Sequence, residues 1–174
     1  VFCGGHSATT EREGMDRSFA IPAEQEALLR AVCEANPRTV VVLTAGGNVD
    51  MSGWIDRVAA LLHAWYPGQE GGTAVAEILA GAVNPSGKLP ATFERRLEDR
   101  SSFDCYHDSD GDKRVALTDG VFFGYRHHGR TGVAPRFPFG FGLSYTTFAY
   151  DNLQIPASVR RGDAIAVRFD VTNT

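Results

Sequence analysis

The residues best equipped for chemistry lie near the start of the chain. In Thr9-Thr10-Glu11-Arg12-Glu13-Gly14-Met15-Asp16-Arg17, three carboxylates and two guanidiniums fall within nine residues. A carboxyl that donates a proton needs a raised pKa, supplied by burial or a like charge, whereas one that must stay ionised needs a nearby cation. Glu11 and Glu13, set against Arg12 and Arg17, can meet both conditions, which makes the loop a candidate for general acid/base chemistry. The plainer reading, a solvated charged loop whose Asp16-Arg17 end caps a following helix, stays open on spacing alone.

Other patterns fail on inspection. Gly140-Phe141-Gly142-Leu143-Ser144-Tyr145 lacks the third glycine of a dinucleotide fingerprint, and Gly87-Lys88 is followed by Leu89 where a phosphate-binding loop needs Ser or Thr. Gly5-His6-Ser7-Ala8-Thr9 lacks the closing glycine of a nucleophile elbow. Asp108-Ser109-Asp110-Gly111-Asp112 starts like a calcium loop with Asp119 at the twelfth position, but Lys113 stands where that loop needs glycine, so a solvated turn is expected. His127 and His128 are adjacent and, on a strand, would point to opposite faces, which argues against a shared metal. Neither a metal nor an organic cofactor is expected.

These loops need a scaffold. A chain of 174 residues with 43% hydrophobic and 22% charged residues has the composition of a folded globular protein, long enough to bury a core without disulfide or metal staples. With 17 basic and 21 acidic residues the formal net charge is −4, which argues against nucleic acid as a partner. No apolar run approaches the roughly 18 residues of a membrane-spanning helix. Cys3, Cys33 and Cys105 are widely spaced and read as buried free thiols, which leaves the compartment open.

Val1-Phe2-Cys3 reads as the tail of a buried strand. A helix follows Ile21-Pro22, with apolar residues at Ala27, Leu28, Ala31 and Val32, and ends near Asn36-Pro37. Thr39 to Thr44 is a continuous β-branched strand, Ser52 to Arg57 a short helical stretch, and Val58 to Trp65 another strand. A second helix carries Ala74, Val75, Ile78 and Leu79. This alternation predicts an α/β fold with a mostly parallel sheet and binding groups in the loops at the carboxyl ends of its strands: residues 4–18, 45–52 and 67–73. The charged stretch from Glu94 to Arg114 reads as a surface excursion and Asp119 to Arg126 as a strand. Ile165, Val167, Phe169 and Val171 alternate like a half-buried strand that opens a second, all-β unit. Val1-Phe2-Cys3 and this last strand together suggest a piece of a larger protein.

Eight segments in order carry a resemblance: Glu13-Gly14-Met15-Asp16-Arg17, Ile21-Pro22, Asn36-Pro37, Thr39 to Leu43, Tyr66-Pro67-Gly68-Gln69-Glu70-Gly71-Gly72, Asn84-Pro85-Ser86-Gly87-Lys88-Leu89-Pro90, Gly124-Tyr125-Arg126 and Pro138-Phe139-Gly140-Phe141-Gly142-Leu143-Ser144-Tyr145-Thr146. From Glu13 to about Phe148 the chain resembles the C-terminal part of glycoside hydrolase family 3, especially its β-glucosidases. The resemblance implies that residues 1–148 are the later part of an α/β sandwich domain and that 149–174 are a linker and the first strands of a fibronectin type III-like domain. A (β/α)8-like barrel N-terminal to both is the implied partner domain.

The family resembles other retaining glycosidases in using two carboxylates. The Asp nucleophile belongs to the barrel, and the acid/base Glu, standing before Gly in a Glu-Gly-x-Asp-Arg context, maps onto Glu13, with Glu11 in reserve. Asp16 and Arg17 then read as scaffold for the loop, and Gln69-Glu70 as a strand-to-helix feature. Trp54, Trp65 and Tyr66 could stack on a sugar ring, with core or domain packing the plainer reading. The implied substrate is a β-linked glucoside or oligosaccharide. The alternatives are a β-xylosidase-type member, or a non-catalytic carbohydrate-binding or scaffold module. Glucosaminidases that use a barrel His usually lack this sandwich domain, so the motifs weigh against them.

Overall fold

Three short parallel strands carry the loops of interest, in a computed structural model that describes residues 1–106, 108 and 110–174. Strands β1 (Phe2–Gly5), β2 (Val40–Thr44) and β3 (Ala60–His63) pair in the order β1-β2-β3. Phe2 lies opposite Val41, and Val41 opposite Leu61. The central strand is the β-branched run, and Val41, Val42 and Leu43 are buried, as a strand covered on both faces requires. Trp54, Leu29, Leu43, Met51, Val41 and Val49 are the largest fully buried side chains.

Helix α1 (Ala23–Ala35) crosses from β1 to β2 and stops at Asn36, just before Pro37. Its buried residues are Leu29 and Cys33, four apart on one face. The stripe expected at Ala27, Leu28, Ala31 and Val32 is therefore offset by one residue, and Leu28 is 57% exposed. Gln25 explains the difference: its side-chain Oε1 accepts the Gly5 N–H (2.7 Å), so the inward face begins with a polar residue that hydropathy does not register.

Gly5 is required by contact as well as by conformation. Its φ is +139°, and a Cβ there would fall 1.9 Å from the Thr44 carbonyl oxygen. The chain leaves β1 pressed against the end of β2, and the His6 N–H donates to that same carbonyl (2.8 Å).

A 3₁₀ turn at Ile55–Arg57 precedes β3, and α2 (Gly71–Leu79) follows the Pro67-Gly68 break. The strand expected over Asp119 to Arg126 is not formed. Gly120 and Gly124 both take positive φ (56° and 57°), which interrupts an extended run, and α3 (Tyr125–Thr131) starts instead. His127 and His128 therefore sit on a helix, not on opposite faces of a strand. Of the cysteines only Cys33 is buried; Cys3 is exposed and Cys105 intermediate, because β1 alternates and Cys3 takes its open face.

Two distant segments are stitched together beyond α2. Leu89 N–H donates to Phe141 O, Gly140 N–H to Leu89 O and Phe93 N–H to Phe137 O, each 2.8 Å. Asn84 bonds the Ser144 hydroxyl and the Tyr145 N–H. Strands β4 (Phe148–Gln154) and β5 (Arg168–Asn173) form a separate antiparallel ribbon, exposed along its whole length.

Candidate active site

The loop after β1 is built as a clasp. At its start the Ser7 carbonyl accepts the Thr10 and Glu11 N–H groups (2.9 and 2.8 Å), while Thr10 Oγ1 accepts the Ser7 N–H (2.9 Å). Further on, Met15 N–H donates to Arg12 O (3.3 Å) and the two residues form an isolated antiparallel bridge. Glu13 and Gly14 form the tip. Gly14 has φ +75°, the left-handed conformation that a turn of this kind needs at its third position, and nothing lies within 4 Å of where its Cβ would stand. Glu13 is exposed, and no described residue bonds its carboxylate.

Glu11 is held from three directions. Its Oε2 accepts the Tyr66 hydroxyl (2.6 Å) and the Gly46 N–H (3.2 Å), and lies 3.3 Å from Arg17 Nε. These partners come from the loop after β3, the loop after β2 and the far arm of the clasp itself. A Cβ on Gly46 would stand 2.3 Å from Glu11 Oε1, so glycine at that position makes room for the carboxylate. Burial alone pushes the Glu11 carboxyl up, but the Tyr66 and Gly46 hydrogen bonds and Arg17 outweigh it and hold it below the ordinary value. Burial and the bond to Glu11 push the Tyr66 phenol the other way, up.

Beneath this hub, Arg17 Nη2 donates to Asn48 O (2.9 Å), and Asn48 Nδ2 donates to both the main-chain oxygen (2.9 Å) and Oε2 (2.8 Å) of Glu94. Glu94 Oε1 pairs with Arg100 Nε at 2.8 Å. The charged stretch expected as a surface excursion thus begins by anchoring the loop after β2. His63 accepts the Trp65 N–H at Nδ1 (3.2 Å) and donates from Nε2 to Gly47 O (3.2 Å), which fixes its neutral tautomer. Burial pushes the His63 and His6 imidazoles down, and Arg17 adds to both. Trp65 has φ +54°, a left-handed conformation unusual for a bulky residue, at the point where the chain turns Tyr66 toward Glu11.

Of the residues singled out by sequence, Glu11, Glu13 and Arg17 come together in the clasp. Asp16 is exposed, bonds no described residue and does not cap α1, whose N-cap is Pro22. Trp54 is in the core and Trp65 packs on it beside Phe93, whereas Tyr66 is 52% exposed next to Glu11. Glu70 is the N-cap residue of α2. Asp108, Asp110 and Asp112 group their carboxylates on the surface and spend them on N–H groups of their own loop; Ser109 of that run lies outside the described residues. His128 Nδ1–H donates to Val133 O (2.9 Å), away from the clasp. Sequence reasoning missed Gly46, Asn48 and Glu94, and gave Tyr66 no polar role. The Gly-Gly pair closing β2 was the available signal for the close approach at Gly46.

The profile of the glycosyl hydrolase family 3 C-terminal domain matches residues 1–145. The chain belongs to this family. Its relatives include a β-glucosidase of Rhizobium radiobacter, 43% identical over 174 residues, with 97% of this chain and 21% of the relative aligned. β-Glucosidase B of Emericella nidulans is 45% identical over 184 residues, with the same coverage of each. The family 3 β-glucosidase structure from Bifidobacterium adolescentis superposes with a TM-score of 0.90 at 38% identity, covering 99% of this chain and 25% of that one. The Kluyveromyces marxianus β-glucosidase in complex with glucose gives a TM-score of 0.87 at 39% identity, over 99% of this chain and 20% of that one. The chain spans about a fifth of the length of the curated relatives it matches.

Proposed function

We propose that this chain is the acid/base-bearing part of a retaining, exo-acting β-glucosidase that hydrolyses terminal non-reducing β-D-glucosyl residues. The observation that carries the reading is Glu13, an exposed carboxylate with no partner among the described residues, at the tip of a turn whose base is tied to the two neighbouring loops. An Asp on an N-terminal barrel domain of the same protein attacks the anomeric carbon while the Glu13 carboxyl gives its proton to the departing oxygen. The Glu13 carboxylate then takes a proton from the water that releases the sugar. This requires the two carboxyls to approach to roughly 5–5.5 Å, so the turn must reach across a domain boundary. Residues 149–174 begin a fibronectin type III-like unit, a reading supported by the antiparallel ribbon of β4 and β5.

The test is hydrolysis of aryl β-glucosides by the full-length protein and its Glu13→Ala variant with and without azide. A slow enzyme that azide accelerates, releasing β-glucosyl azide, is the expected result. Near wild-type turnover by Glu13→Ala would overturn the assignment.

A further inference from the structure

We infer that Glu11 is a positioning residue, the clasp that holds the Glu13 turn in line for proton transfer. The inference rests on the acid/base reading of Glu13. The Glu11–Arg17 pair at 3.3 Å closes the base of the loop, the Arg12·Met15 bridge lies above it, and Glu13-Gly14 stands at the tip. Both arms are also tied outward: Glu11 to Tyr66 and Gly46, Arg17 to the Asn48 carbonyl. The charged or titratable groups around Glu11 are Arg17 on its own loop, His6 at the end of β1, and His63 and Tyr66 from β3 and the loop after it. The loop after β2 contributes the Gly46 N–H.

A carboxylate committed to a phenol, an amide and a guanidinium is ill suited to shuttle a proton, because each bond favours its ionised form. It is well suited to fix geometry. Gly46 adds an independent handle. Its φ lies outside the left-handed region, so alanine suits its backbone, yet a Cβ would stand 2.3 Å from the Glu11 carboxylate. The flexible side chain would yield and the clasp would open with every charge still present.

The test compares kcat/KM of the full-length protein with phenyl β-glucoside, whose leaving group needs a proton, and with 2,4-dinitrophenyl β-glucoside, whose leaving group does not. Displacing a catalytic group by about 1 Å can cost roughly 100-fold. Glu11→Gln and Gly46→Ala are expected to lose about 10- to 100-fold on the phenyl substrate and less than about threefold on the dinitrophenyl one. Tyr66→Phe moves in the same direction by less, and azide yields glucosyl azide with Glu13→Ala but not with Glu11→Gln. Equal losses on both substrates, or no loss, would overturn the clasp and leave the Glu13 reading standing. Azide rescue of Glu11→Gln with Glu13→Ala near wild type would make Glu11 the acid/base, and both readings would fall. Should Glu11→Gln fail to fold, Gly46→Ala and Tyr66→Phe decide.

Discussion

At the scale of single residues, the turn depends on one backbone angle. Gly14 stands at φ +75° with open space around it, so Gly14→Ala tests conformation without any clash. A left-handed alanine costs roughly 1–2 kcal/mol; a drop in stability of that size by chemical unfolding, with lost turnover of phenyl β-glucoside, is the expected outcome. The histidines give a pH signature. His6 and His63 are held below the ordinary imidazole value of about 6.5, so between the folded and unfolded values the unfolded chain binds more protons. Their contribution is complete above about pH 6.5 and is lost as pH falls through the lowered folded values. Thermal midpoints measured from pH 8 to 5 should fall on acidification, and His63→Gln should flatten the slope. Glu11 acts in the same direction at lower pH: its contribution is complete above the ordinary glutamate value of about 4.3 and fades below it. The carboxylates and Arg17 were legible in the sequence because residue type and spacing announce them. Tyr66 and Gly46 acquire their roles only when β2 and β3 bring their loops beside the first, which no local pattern encodes.

At the scale of elements, the parallel order of β1, β2 and β3 could be read because Val40 to Thr44 is unbroken and β-branched, with helical spacing on both sides. Two errors have local causes. The inward face of α1 begins at Gln25, a polar residue recruited by a strand amide, and the aromatic run after Asp119 is cut by Gly120 and Gly124 at positive φ. The junction of β1 and β2 supplies a prediction of its own. Gly5→Ala would place a Cβ 1.9 Å from the rigid Thr44 carbonyl, and neither backbone can yield without breaking the ladder. A loss of more than about 2 kcal/mol is expected, read as a lowered unfolding midpoint.

At the scale of the whole molecule, order is unevenly distributed. β2 lies inside the core, whereas Phe169 and Val171 are more than half exposed on a ribbon of two strands, and Ile165 and Val167, expected on the same strand, lie before its start at Arg168 and are as exposed. A two-stranded ribbon is marginal alone, so amides of β4 and β5 should exchange with deuterium well before those of Val41, Val42 and Leu43 when this 174-residue chain is studied by itself. On the proposed reading of Glu13 the same chain should turn over no aryl glucoside, because that reading gives it one of the two carboxylates that retention needs. The three-way hold on Glu11 also bears on how this domain can be recombined. Glu11 contacts residues 35 and 55 positions away, so a crossover with a relative anywhere between residues 11 and 66 gives the chimera a carboxylate from one parent and at least one of its holders, Tyr66, from the other. Loops that look separately exchangeable in sequence are inherited as a set, and functional hybrids should have their junctions before residue 11 or after residue 66.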